Sequence, residues 1–173
     1  MRAPELVTAR LRLRAHRAED FDALAAIWGD PDVTRHIGGQ PRSRQDVWST
    51  LLRNIGHWPT VGYGYWVVTD AGSGEILGEA GFADHKRGLP TELAAGPEGG
   101  WAFGSSAWGK GIASETMFAC QDWMDRTLAP PTTHCIIDPG NLASQKVAAK
   151  LGFRHAGDTL LRGERIGVYR RGA

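Results

Sequence analysis

Alternating polar and apolar positions open the chain. In Thr8–Arg14, "TARLRLR", Leu11 and Leu13 alternate with arginines, the period of a strand with one face in a core and the other in water. The period then lengthens. Phe21, Leu24, Ile27 and Trp28 share one face of a helix predicted over Glu19–Asp30, with Pro31 as its stop. Ser43 is placed to cap a second helix carrying Val47, Trp48, Leu51, Leu52 and Ile55, which Pro59 should end. Tyr63–Asp70 and Glu75–Asp84 are strand-like and joined by "AGSG", a hairpin turn; Gly99–Phe103 is a further short strand. Ile112–Leu128 reads as a helix with Ile112, Thr116, Met117, Cys120 and Met124 near one face. Thr133–Asp138 is a mostly apolar strand bounded by Pro131 and Pro139. Asn141 then caps "LASQKVAAKL", which Gly152 ends, and strands around Phe153–Ala156 and Arg165–Arg170 follow. The pattern predicts an α/β (α+β) protein of about seven strands and about four helices. With no repeat, low-complexity tract or linker, it also predicts a single domain over residues 1–173.

Composition narrows the function classes. A formal charge of +1 gives no general pull toward nucleic acid or an acidic membrane. The arginines of "ARLRLRAHR" read as the solvated face of the first strand. Cys120 and Cys135 have neither a disulfide nor a metal-ligand pattern and read as small buried hydrophobes, so no metal is expected. No apolar run reaches about 18 residues and the N-terminus lacks an apolar signal core, which predicts a cytoplasmic protein that does not engage a membrane.

The candidate chemistry lies at "GSSAWGKGIASETM", Gly104–Met117, where three glycines and a lysine fall within eight residues directly before a helix. A helix N-terminus leaves about four amide N–H groups without helical acceptors and carries roughly half a positive charge. Glycines there let a pyrophosphate approach bare backbone. Two ligands want this. Gly104, Gly109 and Lys110 match the G-x-x-x-x-G-K of a nucleoside-triphosphate loop, but Gly111 stands where Ser or Thr would hold magnesium. Only about 60 residues follow, too few for a parallel nucleotide-binding sheet.

The other ligand is coenzyme A. The same segment resembles the acetyl-CoA loop of the GNAT N-acetyltransferase family, R/Q-x-x-G-x-G/A, with Gly109 and Gly111 at the glycine positions and Ser106 where Arg or Gln is usual. "TARLRLR", "PEGGWAFGSSAWGKGIASETM" and "NLASQKVAAKLGFRHAG" resemble, in order, segments of the subgroup related to ribosomal-protein N-terminal acetyltransferases. The resemblance implies a GNAT fold, a single mixed, mostly antiparallel sheet in which a splayed parallel pair of strands forms the acyl-CoA cleft. It implies acetyl-CoA as cosubstrate and direct transfer of acetyl from thioester to amine. The backbone of Gly109, Lys110, Gly111, Ile112 and Ala113 would face the diphosphate, with the Ser114 hydroxyl nearby. Trp101, Ala102 and Phe103 would pair with the pantetheine arm, and Asn141 would bond it. A backbone N–H in Trp101–Gly104 would meet the carbonyl oxygen. Glu98 is the candidate general base, with Asp84 and His85 as reserves, and Ser144 the candidate proton donor to the leaving sulfur. The tyrosine that serves this last role in many relatives has no counterpart between Tyr65 and Tyr169.

Substrate choice should reside in the first two helices and the hairpin loops. Neutralising an α-amine at pH 7 costs about 1 kcal/mol and a lysine about 4.6 kcal/mol, so only the latter demands a strong base. Trp28, Trp48, Trp58 and Trp66 are core residues, or line a mouth suited to an apolar or cationic acceptor. Residues 85–99 read as a mobile flap. The acceptor is a peptide N-terminus or a small-molecule amine, and the resemblance also permits a homodimer. A catalytically silent coenzyme A-binding sensor is the alternative, supported by Ser106 and the missing tyrosine.

Overall fold

The computed structural model describes residues 2–172. In chain order the elements are β1 (Leu6–Val7), β2 (Leu11–Arg14), α1 (Phe21–Gly29), α2 (Pro31–Thr34), α3 (Arg44–Val61), β3 (Tyr65–Asp70), β4 (Ile76–Ala83) and β5 (Glu98–Phe103). There follow α4 (Ile112–Thr127), β6 (Thr132–Ile137), α5 (Leu142–Lys150), β7 (Arg154–Leu161) and β8 (Glu164–Gly172). The strands form one eight-stranded sheet in the order β1-β2-β3-β4-β5-β6-β8-β7. Every neighbouring pair is antiparallel except β5–β6.

Two elements exceed the predicted count, and both have local causes. β1 is two residues long, too short to show a period, and is held by pairing Leu6 with Leu13. Pro31 ends one helix and begins another: the Asp30 carboxylate accepts from the Asp32 amide (2.8 Å), and a proline in the first turn gives up an N–H that would be unsatisfied anyway. Pro59 does not stop α3. It lies in the final turns, and the helix ends two residues later, where Gly62 adopts φ 86° and donates to the Trp58 carbonyl (3.0 Å). The predicted caps are made, with the Ser43 hydroxyl accepting from Asp46 N (3.1 Å) and Asn141 Oδ1 from Ser144 N (3.0 Å).

The larger core joins Leu13, Trp66, Val68, Phe82 and Phe103 of the sheet to Met117, Cys120 and Met124 of α4. A smaller one packs Leu24 and Trp28 of α1 and Val47 and Leu51 of α3 against Ala102. Adjacent residues Ala102 and Phe103 thus serve opposite faces of β5, as strand alternation requires. The Cys120 and Cys135 thiols are free and buried, and burial raises both above their ordinary range. Met117, fully buried, seats α4 and hence the glycine segment ahead of it. Met117→Ala is expected to lower stability by about 2–5 kcal/mol in urea titration; a loss under about 1 kcal/mol would mean that α4 is not anchored through this core.

Candidate active site

The site begins where two strands part. β5 and β6 pair only at Glu98–His134 and Gly99–Cys135, although β5 runs on to Phe103 and β6 to Ile137. The opposite edge of β5 stays paired with β4 along its whole length, from Glu98–Ala83 to Phe103–Gly78. From Gly100 onward the inner edge of β5 therefore has no strand partner, the requirement for an extended ligand to add itself there. Trp101 and Ala102 lie on this stretch. The Phe103 carbonyl already accepts from the indole N–H of Trp108 (2.8 Å), so that oxygen is not wholly available to a ligand.

The glycine segment follows directly on the free end of β5, between Phe103 and the start of α4 at Ile112. Gly109 and Gly111 have φ of 72° and 77°, left-handed values that a side chain would strain, and residues 109–111 are exposed. The first bond of α4 runs from Glu115 N to Gly111 O (3.0 Å), leaving the amides of Ile112, Ala113 and Ser114 without backbone acceptors among the described residues. Bare backbone, left-handed glycines and open amides fit a diphosphate. The loop is also tied from outside. Arg10 donates from Nη1 to the Lys110 carbonyl (2.9 Å) and from Nε to Glu115 (2.7 Å), and Glu115 also accepts from the Thr8 hydroxyl (2.5 Å). The first-strand arginines are thus more than a solvated face, since Arg14 likewise pairs with Asp20. Ser106, exposed in a short turn, contributes no such tie among the described residues. Asn141 and Ser144 sit at the start of α5, partly buried and joined by the capping bond described above.

Glu98 is buried, and both its oxygens accept from Arg87 Nε (3.0 and 2.9 Å). His134 Nε2 and His85 Nε2 lie 3.6 and 3.8 Å away. Burial alone would raise this carboxyl, but nearby His134 and the hydrogen bonds and charge of Arg87 hold it below the usual carboxylate range. Burial, with the nearby arginine charges, pushes His85 down to about 4, so the imidazole is neutral at pH 7. Asp84 is paired with Lys86 (2.7 Å).

On the same face of β4 and β5 stand groups that the sequence did not single out. Tyr65, Gly81 and Gly100 are cross-strand neighbours, and a methyl group built on Gly100 would lie 2.0 Å from the Tyr65 hydroxyl. A tyrosine oxygen therefore reaches β5 after all, from a strand far earlier in the chain. Burial and the charges of Glu98 and Glu79 raise its pKa above the ordinary value. One strand step on, Glu79 is enclosed and accepts from His16 Nε2 (2.8 Å), Trp28 Nε1 (3.0 Å) and Asn54 Nδ2 (3.2 Å). Burial would raise it; these bonds and the Arg42 charge outweigh that and hold it low. Arg42 stacks 3.6 Å above the Trp28 ring. Trp28 is therefore unavailable to an incoming cation, and Trp58 and Trp66 are core, packed on each other and on Trp123 with centroids 4.6–5.3 Å apart. Only an acid inside the otherwise apolar run Ile76–Ala83 signalled this cluster in advance. The segment before β5 is tethered, through Glu92 O to Arg170, Ala95 O to His134 and Arg87 to Glu98.

Comparison with known proteins gives the family and the fold. The model of the acetyltransferase (GNAT) domain matches residues 10–154, and the chain belongs to the GNAT acetyltransferase family. It is 32% identical over 173 residues to YkkB, an uncharacterized protein of Bacillus subtilis (strain 168), covering 96% of this chain and 95% of that one. The acetyltransferase of Agrobacterium tumefaciens str. C58 superposes with a TM-score of 0.85 at 28% identity, over 100% of this chain and 96% of that one. RimL, a ribosomal L7/L12 alpha-N-protein acetyltransferase solved in complex with coenzyme A, shares the fold with a TM-score of 0.77 at 20% identity, over 96% of each chain.

Two outcomes follow. Gly100→Ala is expected to displace the Tyr65 ring and destabilise the fold, with Tyr65→Phe in the same chain recovering part of the loss; thermal melts showing Gly100→Ala unchanged would mean that Tyr65 is not seated there. His85, lowered in the fold, takes up more protons unfolded than folded between about 4 and about 6.5, so its contribution to stability falls as pH drops through that window. Glu98, also lowered, loses its contribution below about 4.5. Melting temperature should therefore decline on acidification from pH 6.5, and His85→Gln should flatten the portion above pH 4.5.

Proposed function

We propose that this chain is an acetyl-CoA-dependent N-acetyltransferase acting on a primary amine. The observation that carries the reading is the parting of β5 from β6, followed along the chain by the left-handed glycines Gly109 and Gly111: an unpartnered strand edge suits a thioester arm, and bare backbone suits its diphosphate. The diphosphate takes the amides of Gly109–Ser114, with Lys110 adding charge at the rim, and the arm runs along Trp101 and Ala102 with Asn141 bonding it. An amide of Trp101–Gly104 meets the carbonyl oxygen as charge builds there.

The amine approaches from the Tyr65–Gly100 face. Its lone pair forms the C–N bond, the C–S bond breaks, and the electron pair leaves on sulfur. Glu98 is the proposed base, acting through solvent because Arg87 occupies both its oxygens. A carboxylate held so low is a weak base, which favours an α-amine, needing only about 1 kcal/mol to neutralise, over a lysine. Ser144 is the proposed donor to sulfur. The thiol's ordinary pKa of about 8.5 keeps that demand small.

The reading is tested by acetyl-CoA-dependent thiol release across peptides and small amines, alongside thermal shift. Acetyl-CoA at a hundredfold excess over Kd should add about 2.7 kcal/mol of stability, and Mg-ATP none. Gly111→Ala should raise the KM for acetyl-CoA about tenfold with little change in kcat. Ser144→Ala with unchanged kcat and KM removes Ser144 from the chemistry. Stabilisation by acetyl-CoA without turnover of any amine makes the chain a coenzyme A-binding sensor.

A further inference from the structure

Arg42 is more than half withdrawn from water, yet its guanidinium makes no hydrogen bond or ion pair among the described residues; its one close partner is the Trp28 ring. A guanidinium carries five donors in a planar fork and is costly to bury without acceptors. The carboxylate whose charge reaches Arg42, Glu79, takes its hydrogen bonds from His16, Trp28 and Asn54 instead. Arg53, on α3, is a second guanidinium without a hydrogen bond or ion pair among the described residues. It acts electrostatically on Arg42, Tyr65 and His85 alike and lines a groove of about 370 Å³ with His57, Lys86 and Asp84, the last two paired with each other. The acceptor face thus holds more cationic than anionic charge, around the Tyr65 hydroxyl and the bare backbone of Gly81 and Gly100.

We propose that the amine acceptor carries a carboxylate, received by the Arg42 fork with Arg53 beside it, while its nitrogen lies over Gly100. This rests on the acetyl-transfer reading above and adds the chemical class of the acceptor. Two consequences agree. A guanidinium held over an indole keeps a planar fork of donors that can take a carboxylate with two parallel bonds. The surplus positive charge also disfavours an ammonium, easing the loss of the amine's proton where Glu98 is a weak base. The carboxylate belongs either to a free amino acid or to an acidic residue near a peptide N-terminus.

The test is kcat/KM per neutral amine, by thiol release from acetyl-CoA, on matched acceptors. These are an amino acid and its amide, a peptide with Asp in second place and its Asn counterpart, and spermidine as a cationic amine. The carboxylate member of at least one pair should be preferred about tenfold or more, with spermidine the poorest. Which pair shows the preference identifies the source of the carboxylate. Arg42→Gln should abolish that preference while leaving the KM for acetyl-CoA within about twofold, and Arg53→Gln, an exposed change that spares the Trp28 stack, should reduce it. Amides or spermidine turned over as well as the acids would overturn the proposal, as would an Arg42→Gln loss equal on both members of each pair. Should Arg42→Gln not fold, the wild-type preferences and Arg53→Gln decide alone. Binding of acetyl-CoA with turnover but no carboxylate preference sinks only this inference; no acetyl-CoA binding at all sinks the transferase reading itself.

Discussion

Parallel strands β5 and β6 hold together for two residue pairs and then separate, and the site is arranged around that separation. β5 cannot follow β6, because β4 holds its other edge without a break through Phe103. Nor does β6 bend toward β5, since β8 pairs with all six of its residues from Thr132 to Ile137. Each strand is fixed by its outer neighbour and the gap between them persists. An unpaired strand edge in a protein interior needs acceptors and donors from elsewhere. Here an amide-bearing thioester arm can supply them. α4, seated by the burial of Ile112 and Met117, follows the free end of β5 in the chain with its first amides open.

The Tyr65–Gly100 face obeys a second constraint, the cost of buried charge. Burying a carboxylate is tolerable only with hydrogen bonds and opposite charge around it. Glu79 meets this with three donors and Glu98 with the guanidinium of Arg87, which bonds both its oxygens. Both are consequently stabilised as anions and make weak bases. Arg42 is the exception in hydrogen bonding: half-buried, it lies over the Trp28 ring and meets Glu79 through charge alone. In a fold that answers its other buried charges so fully, that imbalance points outward to what the face binds.

Much of this was legible in the sequence, for reasons that can be named. Period and caps located α1, α3, α4 and α5, because Ser43 and Asn141 make the bonds their chemistry suggests. The glycine segment was legible because left-handed backbone and open helix amides are written in glycines. The Arg10–Glu115 tie was not, since it joins residues 105 apart whose meeting depends on the sheet order. Tyr65 was set aside because it precedes the loop by some forty residues, a separation that the β3–β4–β5 pairing erases. Pro31 and Pro59 misled for one reason: proline forbids an interior bond, yet at N1 no bond is required, and near a C-terminus the loss of one is tolerated. Trp28 read as a candidate for a substrate cation because sequence cannot show that Arg42 already covers it.

The most direct measurement of the central claim is amide NMR of the labelled chain during titration with acetyl-CoA. Resonances of Gly109, Lys110, Gly111, Ile112, Ala113 and Ser114 should shift together with those of Trp101 and Ala102, while β1, β2 and β7 stay in place. Saturating acetyl-CoA that leaves these amides unmoved, or that perturbs a different surface, would contradict the assignment of the β5–β6 opening as the thioester seat.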